Sequence, residues 1–191
     1  MFAYNGCEFK GVNIYTYTGA VAQDESRTGF YSLKYINPAD AISGTTYYTT
    51  PGILYRYADV LLNYAEAQYE LGYEDVARDY MNLIRQRVGM PDVPASVTGT
   101  DLRDRIRHER RVELPYEGHR YYDIRRWEIA EEVSLKPVIG TVITQTAPDT
   151  YTYERVQLLP GYWDDKQYLI PIPFTEIQKS NMSITKNPGW D

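Results

Sequence analysis

The stretch Arg56–Gly72, RYADVLLNYAEAQYELG, decides the fold, because its apolar residues recur with helical spacing rather than with the alternation of a strand. With Leu54 just ahead of it, Tyr57, Ala58, Leu61, Leu62, Ala65 and Tyr69 fall on one helical face, while Asp59, Asn63, Glu66 and Glu70 fall opposite. The spacing predicts an amphipathic helix over about 56–71. Gly72 stands where a helix end takes a left-handed residue, and a second stripe of Val76, Ala77, Tyr80, Leu83 and Ile84 runs on until Gly89 and Pro91 stop it. Two antiparallel helices joined by a tight turn are the expected nucleus.

Working outward, Thr100 can cap a third helix whose first turn carries Asp101 and Asp104, acids suited to the positive end of the helix dipole. Its apolar face starts with Leu102 and Ile106 and continues geometrically into Glu109 and Glu113. Pro115 should end or kink it, since proline lacks the amide donor and restricts Leu114 before it. A short helix is expected from about His119 to Trp127. Residues 133–172 read as strands and a hairpin, with β-branched runs at Val138-Ile139 and Val142-Ile143-Thr144 broken by Gly140. Thr175-x-x-Gln178 has the form of a capping box for one last helical turn. Residues 1–55 read as loops and short strands, for example Asn13-Ile14-Tyr15-Thr16-Tyr17-Thr18. The class is mostly α with irregular loops and short β hairpins, organised as one domain over 1–191. The helix pair resembles one tetratricopeptide unit with Ala77 in the small-residue position, occurring once although such units stack on neighbours.

Composition narrows the function. The 191 residues hold 20 Lys and Arg against 26 Asp and Glu, a net charge of −6, so the field of the molecule repels phosphate and disfavours nucleic acid. No run approaches the roughly 18 apolar residues of a membrane helix. The single Cys7 closes no internal disulfide, and six residues ahead of it are too few for the apolar core of a leader. Tyr supplies 20 positions against 4 Phe and 3 Trp, an excess of amphipathic, stackable rings.

The chemically dense segment is Arg103–Arg126, with eight Arg and five acids. Glu109, Glu113 and Glu117 could be paired catalytic carboxylates, as in glycoside hydrolysis. Surrounded by guanidiniums they are better suited to be ionised partners in an ion network, because a catalytic acid needs a raised pKa and Arg lowers it. His108-Glu109-Arg110-Arg111-Val112 begins like a zinc protease motif, but Val112 stands where the second His belongs, so no metal site is expected. His119 reads as an ordered helix-start side chain, Cys7 has no activating neighbour in sequence, and no glycine-rich phosphate loop occurs, so neither a catalytic residue nor a cofactor is assigned.

Five blocks carry a more specific resemblance: Arg56–Gly72, MNLIRQRVGMP (Met81–Pro91), IRHERRVELPYEGHRYYDIRRW (Ile106–Trp127), YLIPIPFTEI (Tyr168–Ile177) and NPGW (Asn187–Trp190). In this order and spacing they resemble the C-terminal part of the SusD/RagB family of nutrient-binding outer-membrane lipoproteins of Bacteroidetes, over residues 56–191. The resemblance implies several hundred residues in a complete member, with several tetratricopeptide-like pairs and a lipidated N-terminal Cys, so that this chain corresponds to a closing portion. It implies a surface-exposed protein of the outer membrane that binds glycans without cleaving them and serves a SusC-type TonB-dependent transporter. It also implies that Glu109, Arg110, Glu113, Glu117, Arg120, Asp123, Arg125 and Arg126 belong to a structural signature, while sugar contacts come from variable loops. Pro115 departs from the small residue expected between Leu114 and Tyr116.

Three functions compete. The first is glycan capture on aromatic platforms, for which Tyr15, Tyr17, Tyr162 and Trp163 are the candidates, since they lie in turn-rich, weakly patterned stretches. The second is a helical protein-interaction scaffold without sugar binding, its apolar face covered by a missing N-terminal portion or by self-association. The third, a glycoside hydrolase, needs two unpaired carboxylates facing a cleft.

Overall fold

The computed structural model describes residues 2–4, 8–9, 12–13, 28, 30–32, 34–35, 52–147 and 150–190. It divides into two compact units, one of Met1–Thr50 with Ile124–Asp191 and one of Pro51–Asp123. The first of these units groups the C-terminal third with the N-terminal strands.

The second unit is helical: α1 (Tyr57–Glu70), α2 (Glu74–Arg87), α3 (Gly99–Glu113) and the start of α4 (His119–Arg126). Both hairpin helices end identically. Gly72 at φ +85 lets Tyr73 N–H reach Gln68 C=O and its own N–H reach Tyr69 C=O. Gly89 at φ +70 does the same for Met90 with Arg85 and for itself with Gln86. These paired bonds satisfy carbonyls that a helix end otherwise strands. The core forms between three helices: Ala65, Ala77 and Met81 pack with Val93, Leu102 and Ile106, and Ala58, Leu61 and Leu62 pack with Ile84 and Leu114. The N-terminal half of α1 thus meets the C-terminal half of α2, the antiparallel arrangement. Each fully buried Leu, Ile or Met here contributes about 1.5–3 kcal/mol. The α1–α2 hairpin packs against α3.

Several expectations need correction. Met81, absent from the stripe read in the sequence, is fully buried, while Leu83, Leu54 and Tyr57, assigned inward, are exposed. Asp59, assigned to solvent, is buried. α3 starts at Gly99, before Thr100. Its N-cap position is Thr98, whose side chain makes no cap bond, and Glu74 Oε1 accepts the Gly99 N–H at 3.0 Å instead. α3 ends at Glu113, as the position of Pro115 requires.

The first unit holds β1 (Phe2–Tyr4) paired antiparallel with β4 (Phe30–Ser32), and β2 (Glu8–Phe9) with β3 (Val12–Asn13). It also holds the end of α4, α5 (Ala130–Ser134), and the antiparallel hairpin of β5 (Val138–Ala147) and β6 (Thr150–Leu159). Gly140 does not break the strand; it sits within β5, buried and paired with Val156. Beyond the hairpin the expected strands give way to a 3-10 turn, Asp165–Tyr168, and to α6 (Phe174–Lys179). α6 is capped at Pro173 without a side-chain bond, so Thr175 lies inside the helix and forms no capping box. No helix of the described residues is long and apolar enough to cross a membrane, and no group of three or more metal-ligating side chains forms among them.

Candidate functional site

The polar centre of the helical unit is built on Arg56, which precedes α1. Its Nε donates to both carboxylate oxygens of Glu117 at 2.9 Å, its Nη1 to Glu113 Oε1 at 2.7 Å and its Nη2 to the Glu113 carbonyl at 2.7 Å. The guanidinium therefore closes the C-terminal end of α3 and fastens the following turn in one move. Burial works against the Arg56 charge, but its hydrogen bonds with Glu117 and Glu113 outweigh that and raise its pKa above the ordinary value. Glu113 Oε1 also accepts from Arg87 Nη2 at 2.8 Å, and Glu109 Oε2 from Arg85 Nη1 at 2.8 Å. Arg56 and, from α2, Arg85 and Arg87 hold these acids from outside the Arg-rich segment in which the sequence suggested looking.

A second knot surrounds Arg110, which is buried. It donates to Asp123 through Nε at 3.1 Å and Nη2 at 3.3 Å, and to Asn63 Oδ1 through Nη1 at 2.6 Å. Asp59 and Glu66 add carboxylates at 3.7 and 3.9 Å. Asp59 Oδ1 is buried and accepts no hydrogen bond, with His119 Nε2 3.8 Å away. Asp59, Asn63 and Glu66 thus form the row of α1 that faces Arg110. Their spacing of four and three residues was the available signal, read as a solvent face.

Arg120 joins none of these pairs; burial, and after it the charge of Arg111, lowers its pKa. Arg125 donates from Nε to Gln167 C=O at 2.9 Å, and Arg126 lies over Trp127, 4.7 Å from the ring centre. A cavity of about 420 Å³ beside α3 is lined by Val97, Asp101, Asp104, Arg105 and His108, none of them a predicted site residue.

The second region belongs to the other unit. Tyr162 and Trp163 enter it behind Gly161, where a Cβ would clash with the Leu135 carbonyl, so only glycine fits. Tyr162 N–H donates to Ser134 C=O, and its ring stays exposed. Trp163 is fixed from three sides. Its Nε1 donates to Asp165 at 3.1 Å, Tyr168 meets it edge-on at 4.8 Å, and Arg125 stands 5.6 Å from the ring centre. The turn beneath is held by Asp164, which accepts the Lys166 N–H at 3.2 Å and pairs with Lys166 Nζ at 3.1 Å; this hydrogen bonding with Lys166 lowers its pKa. Asn187–Trp190 clasps the same turn: Trp190 Nε1 donates to Lys166 and Leu169 carbonyls, and Asn187 Nδ2 to Ile170 C=O at 2.7 Å. Gly189, at φ +80, admits the close approach of Lys166 Cβ. Tyr162 and Trp163 are therefore brought together, whereas Tyr15 and Tyr17 lie outside the described residues.

Comparison with known proteins follows this geometry. The SusD family model matches residues 2–190. SusD-like protein P2 of Formosa agariphila is 27% identical over 143 residues, 71% of this chain and 25% of that protein. SusD-like protein P38 of the same organism is 41% identical over 96 residues, 46% of this chain and 19% of that protein. A SusD-like protein of Bacteroides fragilis of known structure superposes with TM-score 0.83 at 32% identity, over 99% of this chain and 38% of its own. A SusD superfamily protein of Bacteroides vulgatus gives TM-score 0.52 at 27% identity, over 72% and 27%. The chain thus spans a quarter or less of these Formosa relatives.

Proposed function

The chain belongs to the SusD family, and from that premise we propose that it captures a neutral glycan at the cell surface without cleaving it and serves a SusC-type TonB-dependent transporter of the outer membrane. The family match over residues 2–190 carries this reading. Three features support it. Tyr162 presents an open ring beside Trp163, whose indole is already oriented by Asp165, Tyr168 and Arg125, so a sugar face could stack there at little ordering cost. Glu109, Glu113 and Glu117 all accept hydrogen bonds from Arg, and carboxylates paired in this way suit binding-protein architecture better than acid catalysis. The net charge of −6 disfavours polyanionic ligands.

Isothermal titration against a panel of neutral oligosaccharides, with Tyr162→Ala and Trp163→Ala alongside, tests the proposal. Heat of binding lost in both variants, without turnover, supports it. Binding untouched by both changes removes these residues from the site. Hydrolysis abolished by Glu109→Gln or Glu113→Gln overturns the non-enzymatic reading. Co-purification with the transporter tests the partner separately.

A further inference from the structure

Of the charged side chains placed at the Trp163 turn, Arg125, Asp164 and Lys166 are committed to the protein. Lys166 Nζ pairs with Asp164 at 3.1 Å and lies 5.2 Å from the Trp190 ring centre. Arg125 gives its Nε to Gln167 C=O and holds its guanidinium 5.6 Å from the Trp163 ring centre. Asp165 differs from all three. Its Oδ1 accepts the Trp163 indole N–H at 3.1 Å, whereas its Oδ2 bonds to nothing among the described residues, and the side chain is exposed. The indole bond therefore fixes a carboxylate at the edge of the ring and leaves one of its oxygens for a ligand.

We propose that Asp165 is the specificity-determining residue of the Trp163 platform, its unbonded oxygen accepting a hydroxyl of a neutral sugar ring and turning away a ring that carries a carboxylate. The inference rests on the glycan reading above and deepens it to one side chain. A sugar stacked on an indole directs hydroxyls past the ring edge, and a carboxylate takes such donors in charge-assisted bonds. A uronate brings a second carboxylate to the same edge. Like charges about 5 Å apart near a protein surface repel enough to cost about tenfold in affinity or more. The net charge of −6 is spread over the whole surface and screened by salt, while Asp165 acts at contact with the ring that Tyr162 and Trp163 present.

The test is titration calorimetry of the 191-residue chain with cellotetraose, maltotetraose and mannotetraose, each beside its counterpart oxidised at C6 to the uronate. In the wild type a neutral sugar binds about tenfold or more tighter than its uronate, and the gap narrows between about 0.01 and 0.15 M salt as screening grows. Asp165→Asn keeps an oxygen for the indole N–H, so neutral binding weakens by about threefold at most while the gap to the uronate falls to about threefold or less. Asp165→Leu frees the indole and loses both sugars. Glu154→Gln removes an acid from the exposed face of β6, roughly 17 Å along the strand from Leu159, and leaves the gap as in the wild type. An Asp165→Asn protein that still rejects the uronate overturns the proposal, as does a gap that Glu154→Gln closes equally. A wild type that prefers the uronate also overturns it, since Arg125 then sets the charge of the site. A different result, neutral binding that survives Trp163→Ala or that is absent from the wild type, removes the platform itself and this inference with it.

Discussion

Arg56 Nε lies 2.9 Å from each carboxylate oxygen of Glu117, across 61 residues of chain. The same guanidinium takes Glu113 by side chain and by carbonyl, so three segments meet on one side chain: the entry to α1, the end of α3 and the turn into α4. Glu117→Ala leaves the half-buried Arg56 guanidinium without the carboxylate its Nε bonds and should cost about 1–3 kcal/mol in urea unfolding at pH 7. Arg56→Lys restores the charge but not the fork, so it should recover less than half of the loss measured for Arg56→Ala. A Glu117→Ala protein that unfolds at the wild-type urea midpoint contradicts this account.

Gly161 is decided by backbone, not by a flexible neighbour. A Cβ there meets the Leu135 carbonyl, which α5 holds in place. Gly161→Ala must push Tyr162 and Trp163 away from Ser134, costing about 1–3 kcal/mol and dimming the near-ultraviolet circular dichroism of Trp163. An unchanged spectrum and unchanged stability would show that the loop simply shifts.

The helices were legible because their periodicity and glycine stops are local signals, and Gly72 and Gly89 act where the sequence put them. The ion network was legible only in part. Glu109 and Glu113 lie on a stripe continuing from Leu102 and Ile106, so their inward direction could be read, while Glu117 lies past the end of α3. Their partners Arg56, Arg85 and Arg87 stand up to 61 residues away, and no local pattern specifies a partner at that range. Asp59 illustrates the opposite failure. A polar row on an amphipathic helix looks like a solvent face until a buried cation, here Arg110, claims it. Gly140 misled because a glycine can stay in a hairpin strand where the ladder continues through it, here in register with Val156. The aromatic pair Tyr162–Trp163 was reachable only as unpatterned rings in a turn, and Gly161, the residue that places them, carried no signal apart from its identity.

The pH dependence of the clasped turn follows from Asp164. Its bonds with Lys166 set its folded-state pKa below the ordinary value of roughly 3.9. A depressed carboxylate contributes fully above the ordinary value and loses its contribution as pH falls through the lowered one. Tryptophan emission, reporting Trp190 beside Lys166, should therefore hold steady down to about pH 4 and change below it, with far-ultraviolet dichroism recorded in parallel to separate global unfolding. In Asp164→Asn the emission at pH 7 should already resemble the acid form. A wild-type transition above pH ~5 is incompatible with this origin.

The knot at Arg110 separates two carboxylates that sequence alone treats alike. Asp123 takes two hydrogen bonds from the guanidinium, while Asp59 sits 3.7 Å off with a buried oxygen that accepts none. Asp59, Glu66 and Asp123 together place three negative charges near Arg110, so the attraction that each feels is offset by the repulsion of the other two. Asp123→Asn removes the charge from a bonded pair and leaves Arg110 with one amide oxygen where two carboxylate oxygens accepted; it should cost about 2–4 kcal/mol. Asp59→Asn removes a charge whose buried Oδ1 accepts no hydrogen bond, relieves the repulsion on Glu66 and Asp123, and offers an amide donor to the same neighbours. Its cost should stay within about 1 kcal/mol, and a gain in stability is consistent with the geometry. Equilibrium unfolding of both variants at pH 7.5 makes the comparison directly. Equal losses in the two variants would mean that distance to Arg110 does not govern the knot, and that burial of the acids alone sets their contribution.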